Sequence, residues 1–463
     1  MVKDNAESRV RYHLESLIAG ATPGDRLPGV RALMAELAVG PATVRAAVAT
    51  LEREGRVDAV PGSGTFVATP PVALPGDLGW QSVALGPTER RDDALETLRT
   101  VPATGVVDLA SGYPHPSLHP TGLLGGAGAR VARRDAAWGR VDPGGLGELR
   151  SVFARSLTPA GTHQVLVTPG GQSALWTGLR SLGRPGDPVV VESPTYVGAL
   201  ATIRAQGLVP VPVPTDAHGL RVELFADVVE RTGARLAYLQ TRAANPTGAT
   251  LVADRRRDVM RVADAYGMVI VEDDWLHDLH EPGAVPPLAA NDPDGHVVHV
   301  RSLTKAAAPS LRVCAVAAQG AIAHRLLRAR AVEDFFVPAL LQHVALDLLT
   351  SPGWVRHLSR LRAEVVARRA ALVGLVAKHL PEATVAPATG PALHAWLRLP
   401  DGVDDIALER EARRAGVAVV AGSPWFPGDP PGPFVRLSAV AAPVDQLEVG
   451  VLRLADSLSL VAA

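Results

Sequence analysis

The sequence predicts an α/β protein: a mostly parallel sheet covered by helices, with a small helical head in front of it. Two observations carry this. From Val106 onward, short apolar runs alternate with helix-period stretches, as strands joined by crossover helices do. Before residue 70, three helical patterns precede two short strand-like runs that flank Pro61-Gly62-Ser63-Gly64. The chain has 463 residues, enough for two or three domains and a large core. With 47% hydrophobic and 20% charged residues it has the composition of an ordinary folded domain, and a net charge of −1 does not advertise nucleic-acid binding. Cys314 is the only cysteine, which excludes an intrachain disulfide and a cysteine metal cluster. Met1-Val2-Lys3-Asp4-Asn5 lacks an apolar signal core, and no apolar run reaches membrane-spanning length, so a cytoplasmic location is expected.

In the head, Val10, Leu14, Leu17 and Ile18 recur at helical spacing, and Gly20 stops that helix. A second helix follows Pro28 and presents Val30, Leu33, Met34 and Leu37 on one face. Val39-Gly40 breaks it. Pro41 suits the first turn of a third helix, where a missing N–H costs nothing. That helix buries Val44, Ala47, Val48 and Leu51 and turns Thr43, Arg45 and Arg53 outward. Arg56–Val60 and Thr65–Val67 then read as a hairpin. Three helices and a hairpin fit a winged helix-turn-helix, whose third helix enters a major groove, and fit a generic helical cap equally well. Charge does not decide, because eight basic residues in positions 1–70 are balanced by eight acidic ones.

The motifs do decide. Gly24-Asp25-Arg26-Leu27-Pro28 with Arg31, Ala42-Thr43-Val44-Arg45, Leu51-Glu52-Arg53-Glu54-Gly55 and Gly62-Ser63-Gly64-Thr65-Phe66-Val67 closely resemble the GntR-type winged helix over residues 7–68. The resemblance implies DNA contact by Arg31, Thr43 and Arg45, with the wing glycines Gly62 and Gly64 against the minor groove or backbone. Where that family often opens the recognition helix with a Ser/Thr-Arg pair, this chain has Gly40-Pro41-Ala42. Fewer side chains there reach base edges, so relatives' operator sequences do not carry over. The head is assigned residues 1–68. Residues 69–105 are expected to be a linker, Pro-rich at first, and a leading helix, long enough for the head to reach a partner subunit.

The body begins at Val106. Strand-like runs fall at Gln164–Thr168, Pro188–Glu192, Leu236–Gln240, Met268–Val271, Val297–Val300 and Val313–Ala318, with helical patterns such as Leu146–Leu157, Gln172–Leu182 and Val252–Tyr266 between them. In such a sheet, ligands sit at the carboxyl ends of the strands. Lys305 lies there, after Ser302-Leu303-Thr304. Of 46 basic residues only Lys3, Lys305 and Lys378 are lysine, so a lysine kept in an apolar stretch suggests chemistry that arginine cannot do. A desolvated amine loses its proton and forms a Schiff base with an aldehyde. The alternative is a surface lysine in a loop. Arg312 suits a bidentate grip on phosphate. Thr168-Pro169-Gly170-Gly171-Gln172-Ser173 leaves a strand and opens a helix, a place that favours an anion. Tyr196 follows another strand end, Asn245-Pro246-Thr247-Gly248 is a turn by composition, and Glu272-Asp273-Asp274 ends an apolar strand where three acids need a reason. Together these groups make a pyridoxal phosphate site.

Their order and spacing resemble fold-type I aminotransferases. The resemblance implies a mostly parallel seven-stranded sheet in a large domain, residues 106–345, and a small α+β domain, residues 346–463. Gly171, Gln172, Ser302 and Arg312 would hold the phosphate. Tyr196 would stack on the ring, Asn245 would bond its phenolic oxygen, Asp273 would pair with its nitrogen, and Lys305 would carry the Schiff base. Arg436, in Pro433-Phe434-Val435-Arg436-Leu437-Ser438, matches the arginine that forks a substrate's α-carboxylate.

A GntR-type head on an aminotransferase-like body is the layout of the MocR-type regulators, which the whole chain resembles. This implies a homodimer, head-to-tail, that binds pyridoxal phosphate and an operator DNA and answers an amino-acid-like effector or the cofactor itself. A working aminotransferase with an appended DNA-binding head is the alternative. Two departures tilt the expectation away from an enzyme. Trp275 stands where many relatives place a Tyr two residues after the pyridine aspartate, and Arg140 stands where a Tyr usually reaches the partner's phosphate. His277 and His280 lack an apparent third ligand, so no metal is expected.

Overall fold

The computed structural model describes residues 6–68, 80, 81, 84, 105–158 and 161–461. The linker and leading helix expected over 69–105 lie almost wholly outside the described residues. The chain divides into two compact units, residues 1–91 and 92–463.

In the first unit, helix α1 (Ala6–Ala19) buries Val10 and Leu14 against α3 (Pro41–Arg53), which contributes Val44, Ala47 and Leu51. Helix α2 (Val30–Leu37) adds Leu33 and ends at Ala38, whose φ of 52° is left-handed. A left-handed residue closes a helix by turning its N–H back to the last carbonyls, here Met34. Gly40 caps α3 and Pro41 is its first residue, as expected. Strands β1 (Val57–Val60) and β2 (Gly64–Val67) pair antiparallel, Val57 opposite Val67 and Val60 opposite Gly64.

The second unit is built on a sheet of β4 (Gln164–Thr168), β5 (Pro188–Ser193), β6 (Val209–Asp216), β7 (Gly219–Leu220), β8 (Leu236–Leu239), β9 (Val269–Asp273), β10 (Val297–Ser302) and β11 (Cys314–Ala318), following a short β3 (Val107–Asp108). Their order is β4-β11-β10-β9-β8-β5-β6-β7. Strands β10, β9, β8, β5 and β6 run parallel, and β11 runs against both its neighbours. The seven expected strands are joined by an eighth, the two-residue β7, which folds back on β6. Successive residues of the central strands enter opposite cores: Val190, Ala237 and Ile270 face one side, Val189, Tyr238 and Val271 the other. A sheet buried on both faces needs apolar residues at every position, hence runs without alternation.

Beyond it, β12 (Thr384–Val385), β13 (His394–Arg398), β15 (Val420–Ala421) and β16 (Phe434–Ser438) form an antiparallel sheet, while β14 (Val417–Ala418) pairs with β3. Helices at 352–379, 405–414 and 447–461 accompany these strands. Among the described residues, no single helix is long and apolar enough to cross a membrane.

Candidate functional site

The carboxyl ends of the parallel strands open on one cavity of about 520 Å³. Strand β4 delivers Gly171 and Gln172, β5 Tyr196, β8 Gln240 and Asn245, β9 Asp273, and β10 Ser302, Thr304 and Lys305. Arg312 arrives from the other direction. Cys314, two residues later, pairs with both Thr168 and Ser302, so the antiparallel β11 starts where β4 and β10 end. Arg436 enters from β16, in register with Trp396 and Val420. Every residue expected at the cofactor or the ligand carboxylate lines this cavity except Arg140, which is exposed.

The anion end is shaped by backbone. The helix Gly171–Leu182 starts at Gly170, whose φ of 104° only glycine holds easily. A Cβ on Gly170 would run into the Arg312 guanidinium, which donates to the Pro169 carbonyl. Arg312 itself sits at φ 50°, an unusual conformation for a residue with a side chain. The Gln172 side chain is already engaged: it donates to the Gly198 carbonyl (2.9 Å) and Thr202 Oγ1 (2.7 Å) and accepts from the Tyr196 hydroxyl (3.3 Å). What Gln172 offers an anion is therefore its backbone N–H, while its amide steadies Tyr196.

The three acids at the end of β9 have separate partners. Asp273 accepts from Tyr238 Oη (2.8 Å) and Gln240 Nε2 (2.9 Å). Burial still pushes its carboxyl up to about 6. Glu272 is held by the Thr241 hydroxyl and the N–H groups of Leu288 and Ala289. Asp274 pairs with Arg242 at 2.7 Å and bonds His277 (2.7 Å) and His299 (3.0 Å). Burial alone would raise it; the two histidines hold it well below the usual range. Asp274, His277 and His299 bring ligand-type atoms within 4.8 Å of one another, but the oxygen the histidines share also accepts from Arg242, whose charge takes a cation's place. His280 caps a 3-10 turn and stands 3.9 Å from the other Asp274 oxygen.

Lys305 has no ion-pair partner among the described residues. Its Nζ lies 3.7 Å from the centroid of the Tyr113 ring. Burial, and then the charge of Arg436, push the amine down to about 7. Arg436 is fully buried, donates to Asn245 Oδ1 (3.2 Å) and the Ala110 carbonyl, and covers the Trp425 ring at 4.6 Å. Its Nε has no partner. Trp275 also lines the cavity, but its indole N–H is committed to the Ala243 carbonyl at 3.0 Å. Sequence reasoning missed Tyr113, Tyr238, Gln240 and Gly170. Only Gly170 carried a signal, standing in the Gly-Gly turn already singled out.

In the first unit, Arg31 and Arg45 are exposed with no ion-pair partner among the described residues, and Thr43 is half-buried. Gly62 and Gly64 have φ of 80° and 127°, and a Cβ on Gly64 would sit 2.9 Å from Arg26 Nε. The tight wing needs both glycines.

An amine tuned to react with aldehydes, an anion cradle that a Cβ would fill, an enclosed carboxylate and a buried arginine with an unpartnered nitrogen fit pyridoxal phosphate. Comparison with known proteins agrees. Residues 140–453 match the class I and II aminotransferases, and residues 6–67 match the gntR family of bacterial regulatory proteins. The HTH-type transcriptional regulator YjiR of Escherichia coli K12, itself uncharacterised, is 30% identical, with 89% of this chain and 91% of that protein aligned. The vitamin B6 salvage pathway transcriptional repressor PtsJ of Salmonella typhimurium is 30% identical, with 84% of each aligned. The structure of LysN, an α-aminoadipate aminotransferase from Thermus thermophilus complexed with N-(5'-phosphopyridoxyl)-L-leucine, superposes with a TM-score of 0.75 at 26% identity, covering 82% of this chain and 99% of that one. The chain belongs to the class I and II aminotransferase family and, with its gntR-family DNA-binding head, is a MocR-type regulator whose cofactor is pyridoxal phosphate.

Proposed function

We propose that this regulator senses an amino compound, or pyridoxal phosphate itself, at Lys305 and alters its hold on operator DNA in response. The observation that carries the proposal is the convergence of Lys305, Asp273, Arg312 and Arg436 on one cavity, the first three from strand ends of the large sheet and Arg436 from the middle of β16. When bound, the cofactor supplies an aldehyde that captures amines and a ring that absorbs visible light. Lys305 holds it through Nζ. Arg312, Ser302 and the N–H groups of Gly171 and Gln172 take the phosphate, Asp273 faces the ring nitrogen, Asn245 the phenolic oxygen, and Tyr196 the ring. Arg436 forks the carboxylate of an amino-acid ligand.

Arg140, exposed and outside its own chain's cavity, suits a contact in a second subunit, so the active form is a head-to-tail homodimer. The small domain, residues 346–463, closes on the ligand against the large domain, residues 106–345. Residues 69–105 pass that change to the head, residues 1–68, where Arg31, Thr43, Arg45, Gly62 and Gly64 meet DNA. A ligand does this only by binding one arrangement more tightly than the other. A protein that acts on chromosomal DNA works in the cytoplasm.

A second reading, a working aminotransferase, rests on Lys305: an amine pushed down to about 7 suits moving a proton at a ligand's α-carbon. Against it, Trp275 spends its only donor on Ala243 and offers no phenol. The test of the site is Lys305→Ala. Wild type reconstituted with cofactor is expected to be yellow and the variant to lose that visible band. A colourless wild type contradicts the assignment.

A further inference from the structure

His394 lies directly behind Gly112 in the cavity wall and has no part in the roles above. It opens β13, is 4% exposed, and its Nε2 has no hydrogen-bond partner. Buried polar atoms nearly always have partners, so one without a protein partner beside a ligand cavity points to the ligand. The ring is held firmly. It stacks on Trp275, with centroids 5.7 Å apart and planes 12° from parallel, and Trp275 is pinned through Ala243. A Cβ built on Gly112 would lie 3.7 Å from both His394 Nε2 and Lys305 Nζ, so the two nitrogens face one small volume. Gly112 lines the cavity. The strand pairing places Arg436 nearby: His394 faces Ser438, and Arg436 faces Trp396. Burial, with the charges of Arg436 and Lys305, keeps the imidazole neutral. A neutral ring beside two cations adds a hydrogen bond without adding a third charge.

We propose that His394 is a recognition residue for amino-acid ligands, donating from Nε2 to a carboxylate oxygen that Arg436 forks from the other side. This assigns the Nε2 proton to the bound state, and it makes the site prefer an amino acid over the amine that lacks the carboxylate. The proposal rests on the reading that the cavity takes an amino ligand at Lys305.

The test titrates the cofactor-loaded full-length protein with L-alanine, L-leucine, ethylamine and 3-methylbutylamine, following visible absorption. In His394→Phe, the two amino acids are expected to bind about tenfold more weakly while the two amines bind as in wild type, the size of one hydrogen bond to a charged group. His394→Gln, whose amide donates, is expected to recover most of the loss. Equal weakening of amino acids and amines, or no change in either, overturns the assignment. So does loss of the cofactor's visible band in both variants, which would make His394 a structural residue. If wild type itself answers none of the four compounds, the amino-ligand reading fails first and the role of His394 fails with it.

Discussion

Tyr238 donates its phenol to Oδ2 of Asp273 at 2.8 Å, and both side chains are buried. They come from adjacent parallel strands, β8 and β9, and the bond fixes the Asp273 carboxylate where, in the proposed site, it would face the cofactor's ring nitrogen. Burial favours the neutral acid; the bonds from Tyr238 and Gln240 oppose it. The balance, about 6, lets the carboxylate be ionised at neutral pH without being far from protonation.

Tyr238→Phe removes one of the two opposing bonds, so Asp273 rises further. Only the ionised carboxylate pairs with a protonated ring nitrogen. As pH falls below about 6, Asp273 of the wild-type apoprotein is expected to take up a proton and affinity for the cofactor is expected to decline. In Tyr238→Phe the decline is expected to begin at higher pH. Cofactor titrations between about pH 5 and pH 8 measure it, and coincident profiles for the two proteins would refute the link. A lost hydrogen bond to a buried carboxylate is also expected to lower unfolding stability by roughly 1.5–3 kcal/mol.

Lys305 supplies a second pH dependence, in which the same burial shifts the group in the opposite direction. Only its neutral amine attacks an aldehyde, and its value is pushed from 10.5 to about 7. The rate at which the apoprotein takes up cofactor is therefore expected to climb as pH rises through about 7 and then level off. Stopped-flow absorbance measures this. A rate that keeps climbing towards the ordinary lysine value would show an amine that is not desolvated.

In the head, Arg45→Ala removes an exposed cation from α3 and leaves the buried Val44, Ala47 and Leu51 untouched. Binding to an operator selected by the wild-type protein is expected to weaken at least about fivefold, the lower end for losing a base contact. The visible band stays. Electrophoretic mobility shift and absorbance on the same preparation check both, and unchanged DNA binding would misplace the recognition helix.

Much of the body was legible because local chemistry agreed with the fold. Gln164–Thr168 is a strand with the predicted bounds, and the helix predicted from Gln172 begins one residue earlier, at Gly171. Strand β6 was not legible. Pro210, Pro212 and Pro214 argue against a strand, and are tolerated because β6 has only the two-residue β7 on its far side. Lys305 stood out through the scarcity of lysine, and Arg312 through its distance from it. Tyr238 and His394 did not, because each matters through a partner far away in the chain. Arg436 and Asn245 likewise meet across 191 positions, which spacing alone does not reveal.

The central claim is that this cavity reports to DNA instead of turning over substrate. It is tested most directly by adding a panel of amino acids and amines, each with and without a 2-oxo acid, to the cofactor-loaded protein on fluorescent operator DNA, while assaying for new amino acid and oxo acid products. The account predicts that at least one amino compound shifts the visible band and changes operator affinity, and that no product accumulates. Steady turnover with unchanged DNA affinity would contradict it.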